Sequence, residues 1–152
     1  MKTEFSLPDE TSIRYTRTFD ASPQRVWAAY TTPDIVRTWM TGPHSGTTFE
    51  VCDMDVRNGG SYRWVWQYPE GTLEIHGEVL EADEPNRLVT TEQMSDVDLP
   101  PARHEITFSA DGERTVMTGT IVYVSQEARD AAYASGMGAG MDASFDRLAE
   151  VA

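Results

Sequence analysis

Residues 57–71 read RNGGSYRWVWQYPEG, and after the paired glycines Gly59 and Gly60 an aromatic residue recurs at every second position. Successive side chains of an extended strand point to opposite faces, so Tyr62, Trp64, Trp66 and Tyr68 share one face. That strip holds two of the four tryptophans and two of the six tyrosines in the chain. It can fill a solid core, line a cavity or offer a surface to another macromolecule. A pocket is favoured over a solid core, because each indole and phenol has a polar tip that needs a partner when buried.

Around this strip, from Thr47 to Tyr123, the pattern is nearly all strand. TFEVCDMDVR precedes it, separated by the tight-turn signal Asn58-Gly59. TLEIHGEVLEA and RLVTTEQM follow on either side of a turn at 83–86. RHEITFSA and TVMTGTIVYV are joined by the hairpin signal Asp111-Gly112, and DVDLPPA at 96–102 reads as a loop. Upstream, SIRYTRTFD at 12–20 alternates as a first strand. Ser22-Pro23 then opens a helix carrying Val26, Trp27 and Tyr30 on one face, and Thr32-Pro33 opens a second short one.

Downstream, Ser125 caps a last helical region in which Met137, Met141, Phe145 and Leu148 form a stripe at i, i+4, i+8 and i+11. Gly136, Gly138 and Gly140 lie within it. A glycine inside a helix costs about 1 kcal/mol relative to alanine. Its presence points to a break between a short and a long helix, or to close helix–sheet approach. A phosphate-binding loop is disfavoured, because a helical segment precedes these glycines where the dinucleotide signature needs a parallel strand. The architecture predicted is α+β: a curved antiparallel sheet, two short helices and a long C-terminal helix. Residues 1–11 read as a tail and 12–152 as a single domain.

The chain has 152 residues, enough for one domain with a substantial core. Acidic residues outnumber basic ones 25 to 12, a formal charge of −13, which disfavours nucleic acids and anionic membranes as partners. No apolar run approaches the roughly 20 residues needed to cross a bilayer. The N-terminal residues lack the apolar core of a signal peptide, so a cytoplasmic location is expected. The single cysteine, Cys52, alternates with Met54 and Val56 and reads as a buried, inert thiol.

His44, His76 and His104 show no ligand spacing, and no metal or other cofactor is expected. Asp55 reads as an ion-pair partner or turn acceptor for Arg57. His104 alternates with Ile106 and Phe108, which places it inward. A satisfied core histidine is the stronger reading of it, with ligand binding or acid–base work as the alternative. No nucleophile elbow, catalytic triad or H-E-x-x-H is present, so no catalytic residue is assigned. His104, Glu105 or a cavity tyrosine could still serve as an acid or base.

The order of elements resembles one known family, and so do several stretches. They are D-x-R-x-G-G at Asp55, Arg57, Gly59 and Gly60, the opening RTFDASPQRVWAAYTTPDIVRTWM, the run from Gly77 to Val89 and the closing DRLAEV. The chain looks like the activator of heat-shock protein 90 ATPase homologue-1-like domain, within the START-like or SRPBCC superfamily. The resemblance implies a helix grip, in which the C-terminal helix lies across the curved sheet and encloses a cavity. One departure is Gly140-Met141, where relatives often carry Gly-Trp. The family spans co-chaperone domains, hydrophobic-ligand carriers and a few cyclase-like enzymes, so the fold leaves function open.

The resulting expectation is a domain that binds a small hydrophobic or aromatic molecule. Its lining would comprise Tyr62, Trp64, Trp66, Ile75, His104, Ile106, Phe108, Met117, Tyr123, Met137, Met141 and Phe145. The alternatives are a co-chaperone module working through an exposed apolar patch, with a chaperone as partner, and a cyclase or hydrolase with an acid–base pair deep in the cavity.

Overall fold

The computed structural model describes residues 2–41 and 46–152, and His44 lies outside the described residues. In chain order the elements are β1 (Glu4–Ser6), β2 (Ser12–Phe19), α1 (Pro23–Thr31), α2 (Pro33–Trp39), β3 (Thr48–Met54), β4 (Ser61–Tyr68) and β5 (Gly71–Asp83). β6 (Arg87–Met94), β7 (Ala102–Asp111), β8 (Arg114–Val122), α3 (Gln126–Ala134) and α4 (Met137–Val151) complete the chain. The strands form one sheet in the order β1-β2-β8-β7-β6-β5-β4-β3, antiparallel at every step. From β3 to β8 the chain is therefore a plain meander. The pair α1–α2 carries it from β2 near one edge to β3 at the other.

Two irregularities bend this sheet, one between Phe49 and Val51 and one between Val79 and Glu81. An extra residue in one strand of a pair increases local twist and turns the strand. The fold is the helix grip that the sequence resemblance implied.

Two details differ from the sequence reading. Residues 4–6, in the segment read as a tail, add an edge strand that pairs Phe5 with Tyr15. The strand before the aromatic strip ends at Met54 rather than Arg57, and a six-residue loop replaces the tight turn. That loop docks on β5: Gly59 N–H donates to Val79 O at 2.9 Å, and Ala82 N–H donates to Asn58 Oδ1 at 2.7 Å. Gly59 sits at φ +82°, and a Cβ on Gly60 would lie 1.9 Å from the Asp55 carbonyl oxygen. The double glycine is thus needed for a loop folded onto its neighbour strand.

The short helices close one end of the concave face. Ser22 Oγ caps α1 by accepting from Arg25 N–H, and Pro23 fills the first turn. α1 buries Val26, Trp27, Ala29 and Tyr30. Phe108 packs edge-on against both Trp27 and Tyr30, with ring centroids 5.5 and 5.9 Å apart. Trp39 at the end of α2 is fully buried and donates its indole N–H to Ala29 O at 2.9 Å.

α3 and α4 break at Ser135-Gly136, where Gly136 takes φ +86°. The principal backbone neighbours of α4 are the other three helices rather than the sheet. It reaches the sheet through side chains. Arg17 on β2, with 3 % of its side chain exposed, pairs with Asp142 at 3.1 Å and Asp146 at 2.8 Å on α4. Asp142 also accepts from Thr3 N–H at 2.8 Å, tying in the N-terminal segment. At the far end Arg147 Nε donates to Trp39 O at 2.9 Å.

A buried charge stripped of its partners destabilises a fold by about 3–5 kcal/mol. Replacing both acids, in Asp142→Asn/Asp146→Asn, is expected to cost that amount in urea unfolding. Asp146→Asn alone should cost much less, because Asp146 is 63 % exposed and Asp142 still faces Arg17. A double variant within about 1 kcal/mol of the parent would show that the clamp does not hold α4 in place.

Candidate functional site

β4 carries the aromatic strip into the concavity. Tyr62, Trp64 and Trp66 are all buried, and Arg63 between them is exposed. Val65, on the opposite face, is buried as well. The rings touch along the strand: the Tyr62 and Trp64 centroids are 4.5 Å apart, Trp64 and Trp66 6.1 Å. Trp66 donates its indole N–H to Met40 O at 2.8 Å, and Tyr62 its hydroxyl to Thr91 O at 2.6 Å. Trp64 Nε1 is buried with no hydrogen-bond partner among the described residues.

Beneath α4 these residues wall a cavity of about 680 Å³. Tyr62, Trp64, Trp66, Ile75, His104, Ile106, Tyr123, Met137, Met141 and Phe145 all face it. Phe108 and Met117, expected in the same lining, do not. They are paired across β7 and β8, and both are buried in the packed end of the sheet, where Phe108 meets Trp27 and Tyr30. Both share the inward face with His104 and Ile121, but they lie further along the strands, where α1 fills the space. Met94, Val97 and Leu99 line the cavity and are also exposed, so the segment after β6 forms its rim.

Tyr30, Trp39, Met40, Thr90 and Glu92 were not read from the sequence, yet they also line this space. Glu92 is the informative one. In β6 it alternates with Leu88, Thr90 and Met94, all of which face the cavity. A quarter of its side chain is accessible. Burial raises its carboxyl from the usual range to about 7.

His104 stands beside it, with Nδ1 3.9 Å from Glu92 Oε1. On its other side Nε2 is 2.7 Å from the Tyr15 hydroxyl. Tyr15 is completely buried, and its hydroxyl also contacts that of Tyr30. Burial lowers His104 to about 4 and raises both tyrosines, so the neutral imidazole is the resting form at pH 7. Space for this chain of contacts comes from β8, where a Cβ on Gly119 would lie 2.0 Å from the Tyr15 ring. The result is a line of four titratable groups from the packed core to the cavity wall. Tyr123 faces the cavity separately, with its hydroxyl 3.8 Å from Met137 Sδ.

Elsewhere, Asp55 and Arg57 form an ion pair at 2.9 Å with both side chains exposed. Cys52 is buried, and burial raises its thiol. Among the described residues no group of three or more His, Cys, Asp or Glu is placed to hold a metal ion. No helix among them is long and apolar enough to cross a membrane.

The family profile described as activator of Hsp90 ATPase homolog 1-like protein matches residues 20–152. The chain belongs to that family. No curated protein matches it. Among solved structures, a Rhodobacter sphaeroides protein is 28% identical with a TM-score of 0.89, over 97% of this chain and 95% of the other. A Mycobacterium smegmatis protein is 23% identical with a TM-score of 0.86, over 99% and 96%. CalU16 from Micromonospora echinospora is 22% identical with a TM-score of 0.70, over 98% and 83%. The two more distant structures share the fold; membership of the family supports a ligand-binding or co-chaperone-like domain in general terms.

The Glu92–His104 pair makes a testable imprint on stability. Glu92 has a folded pKa above its unfolded value, so its contribution is full below about 4.5 and is lost as pH rises to about 7. For His104 the sign is opposite: its contribution is full above about 6.5 and is lost as pH falls to about 4. In the parent the two slopes oppose each other. Relative to the parent, Glu92→Gln should therefore gain stability as pH rises from 4.5 to 7, and His104→Gln should lose it from 4 to 6.5. Urea melts across that range check both signs, and two flat difference curves would contradict the buried placement of the pair.

Proposed function

We propose that this chain binds a small hydrophobic or aromatic molecule in the space between the sheet and α4. The observation that carries the reading is the cavity itself, whose volume of about 680 Å³ lies within the range of ligand sites, roughly 300–1,000 Å³. Its walls are mainly aromatic, aliphatic and thioether groups, with a few polar atoms set among them. Trp64 and Trp66 supply flat stacking area. Met137 and Met141 supply packing that can adapt to different shapes.

A second reading is favoured by the Glu92–His104–Tyr15 arrangement, which is the kind of buried acid–base set that a cyclase or hydrolase of this fold would use. Turnover of a bound molecule that is abolished by Glu92→Gln would support it. The co-chaperone reading comes from the family description, and would place activity on the outer surface and make the cavity irrelevant to it.

N-phenyl-1-naphthylamine, an uncharged fluorescent probe, is expected to bind with saturation and to receive excitation energy from Trp64 and Trp66. Met141→Trp fills the cavity from the helix side. It should weaken that binding about tenfold, a loss of about 1.4 kcal/mol, while leaving the unfolding midpoint close to the parent's. A destabilisation of about 1–3 kcal/mol with no saturable binding in either protein would mean that the strip is ordinary core.

A further inference from the structure

The ligand-cavity reading leaves open which polar group the ligand carries, and the wall chemistry restricts it. Among the described residues that line the cavity there is no lysine or arginine, and Glu92 is the one carboxyl. No hydrogen bond is made to that carboxyl by any described residue; its ion-pair neighbour within 4 Å is His104, which burial keeps neutral. A neutral imidazole cannot balance a carboxylate, whereas burial holds the carboxyl near 7, where an arriving cation stabilises the carboxylate and its proton is released to solvent. A ligand carboxylate would meet Glu92 with no cation to offset the repulsion.

Trp64 Nε1 is the second unpartnered group. The residue is 8 % exposed, faces the cavity and has its N–H buried without an acceptor among the described residues. Buried donors in folded proteins are almost always satisfied, so this one points to an acceptor on what enters the cavity. The register gives the spacing. Ile75 pairs with Trp64 on one side and Met94 on the other, so Trp64 and Glu92 lie two strands and two residues apart on one face. At about 4.8 Å per strand and 3.4 Å per residue this separates their Cα atoms by roughly 12 Å. With both side chains reaching inward, a fused two-ring molecule can span the gap between them.

We propose that the cavity selects a flat aromatic molecule bearing an alkylamine, with its ammonium against Glu92 and an oxygen acceptor accepting from Trp64 Nε1, and rejects the corresponding carboxylates. The rest of the wall supports this polarity. Tyr62 and Trp64 offer ring faces to a cation, and the overall charge of −13 draws cations toward the protein.

Isothermal titration of the full chain at pH 7.5 with four matched probes tests the proposal. These are 5-methoxytryptamine, tryptamine, 5-methoxytryptophol and 5-methoxyindole-3-acetic acid. 5-Methoxytryptamine should bind about tenfold more tightly than the alcohol, the acid should show no saturable binding, and tryptamine should be weaker for want of the methoxy oxygen. Glu92→Gln should bring the amine down to the affinity of the alcohol, with a far-UV circular dichroism spectrum and a cooperative urea transition showing that the variant is folded. Trp64→Phe should erase the difference between 5-methoxytryptamine and tryptamine. Equal affinity for amine, alcohol and acid, or an amine preference untouched by Glu92→Gln, would overturn the amine assignment. If N-phenyl-1-naphthylamine binds with saturation and none of the four probes does, the assignment fails and the cavity reading stands. If that probe fails too, both fall.

Discussion

A guanidinium with 3 % of its side chain exposed must have carboxylates beside it, and for Arg17 both come from α4. This single requirement sets where the last helix can lie. Arg17 projects from β2 onto the concave face, flanked by Tyr15 and Phe19, and Asp142 and Asp146 are one helical turn apart on the facing side of α4. With Arg147 bound to the end of α2 as well, the helix is held over the β2 side of the sheet and against the other helices. Aromatic contacts of Phe145 with Tyr15, Phe19 and Trp39 then fill the space beneath that end. Among the described residues nothing comparable draws α4 down onto β4, β5 and β6, and there the sheet curves away. The cavity is what remains between a helix fixed at one side and a sheet bent by two bulges.

The same geometry explains why polar groups sit so deep. Gly119 leaves room for the Tyr15 ring, and the Tyr15 hydroxyl fixes one nitrogen of His104. His104 in turn stands beside Glu92 on the neighbouring strand. Burial keeps Tyr15 and His104 in their neutral forms at pH 7, and it raises Glu92 to about 7, where the carboxyl is partly ionised. A site so arranged holds little fixed charge when empty, and it changes charge most readily at Glu92, the member on the cavity wall.

Much of this could be read in the residues beforehand, and the failures have physical causes. Strict alternation made the inward face of β4 legible, and likewise the inward positions of β7. It could not tell how far along a strand the open space extends. Phe108 and Met117 share the inward face with His104 and Ile121 yet belong to the packed end, because the boundary is set by α1, a distant segment. Glu92 escaped notice because a glutamate in TTEQM looks like an ordinary solvent-facing acid. Its register with Leu88 and Thr90 was the signal that placed it inward. Residues 55–60 look like a tight turn from Asn58-Gly59, but hydrogen bonds to β5, the strand beside β4, decide their shape.

That a space lies open beneath α4 is the claim on which the functional reading stands. Diffraction from crystals held under xenon pressure tests it without assuming any ligand, since apolar cavities take up xenon. The account predicts xenon density enclosed by Trp64, Ile106, Met141 and Phe145. Side chains filling that volume, with xenon bound at the molecular surface alone, would contradict it.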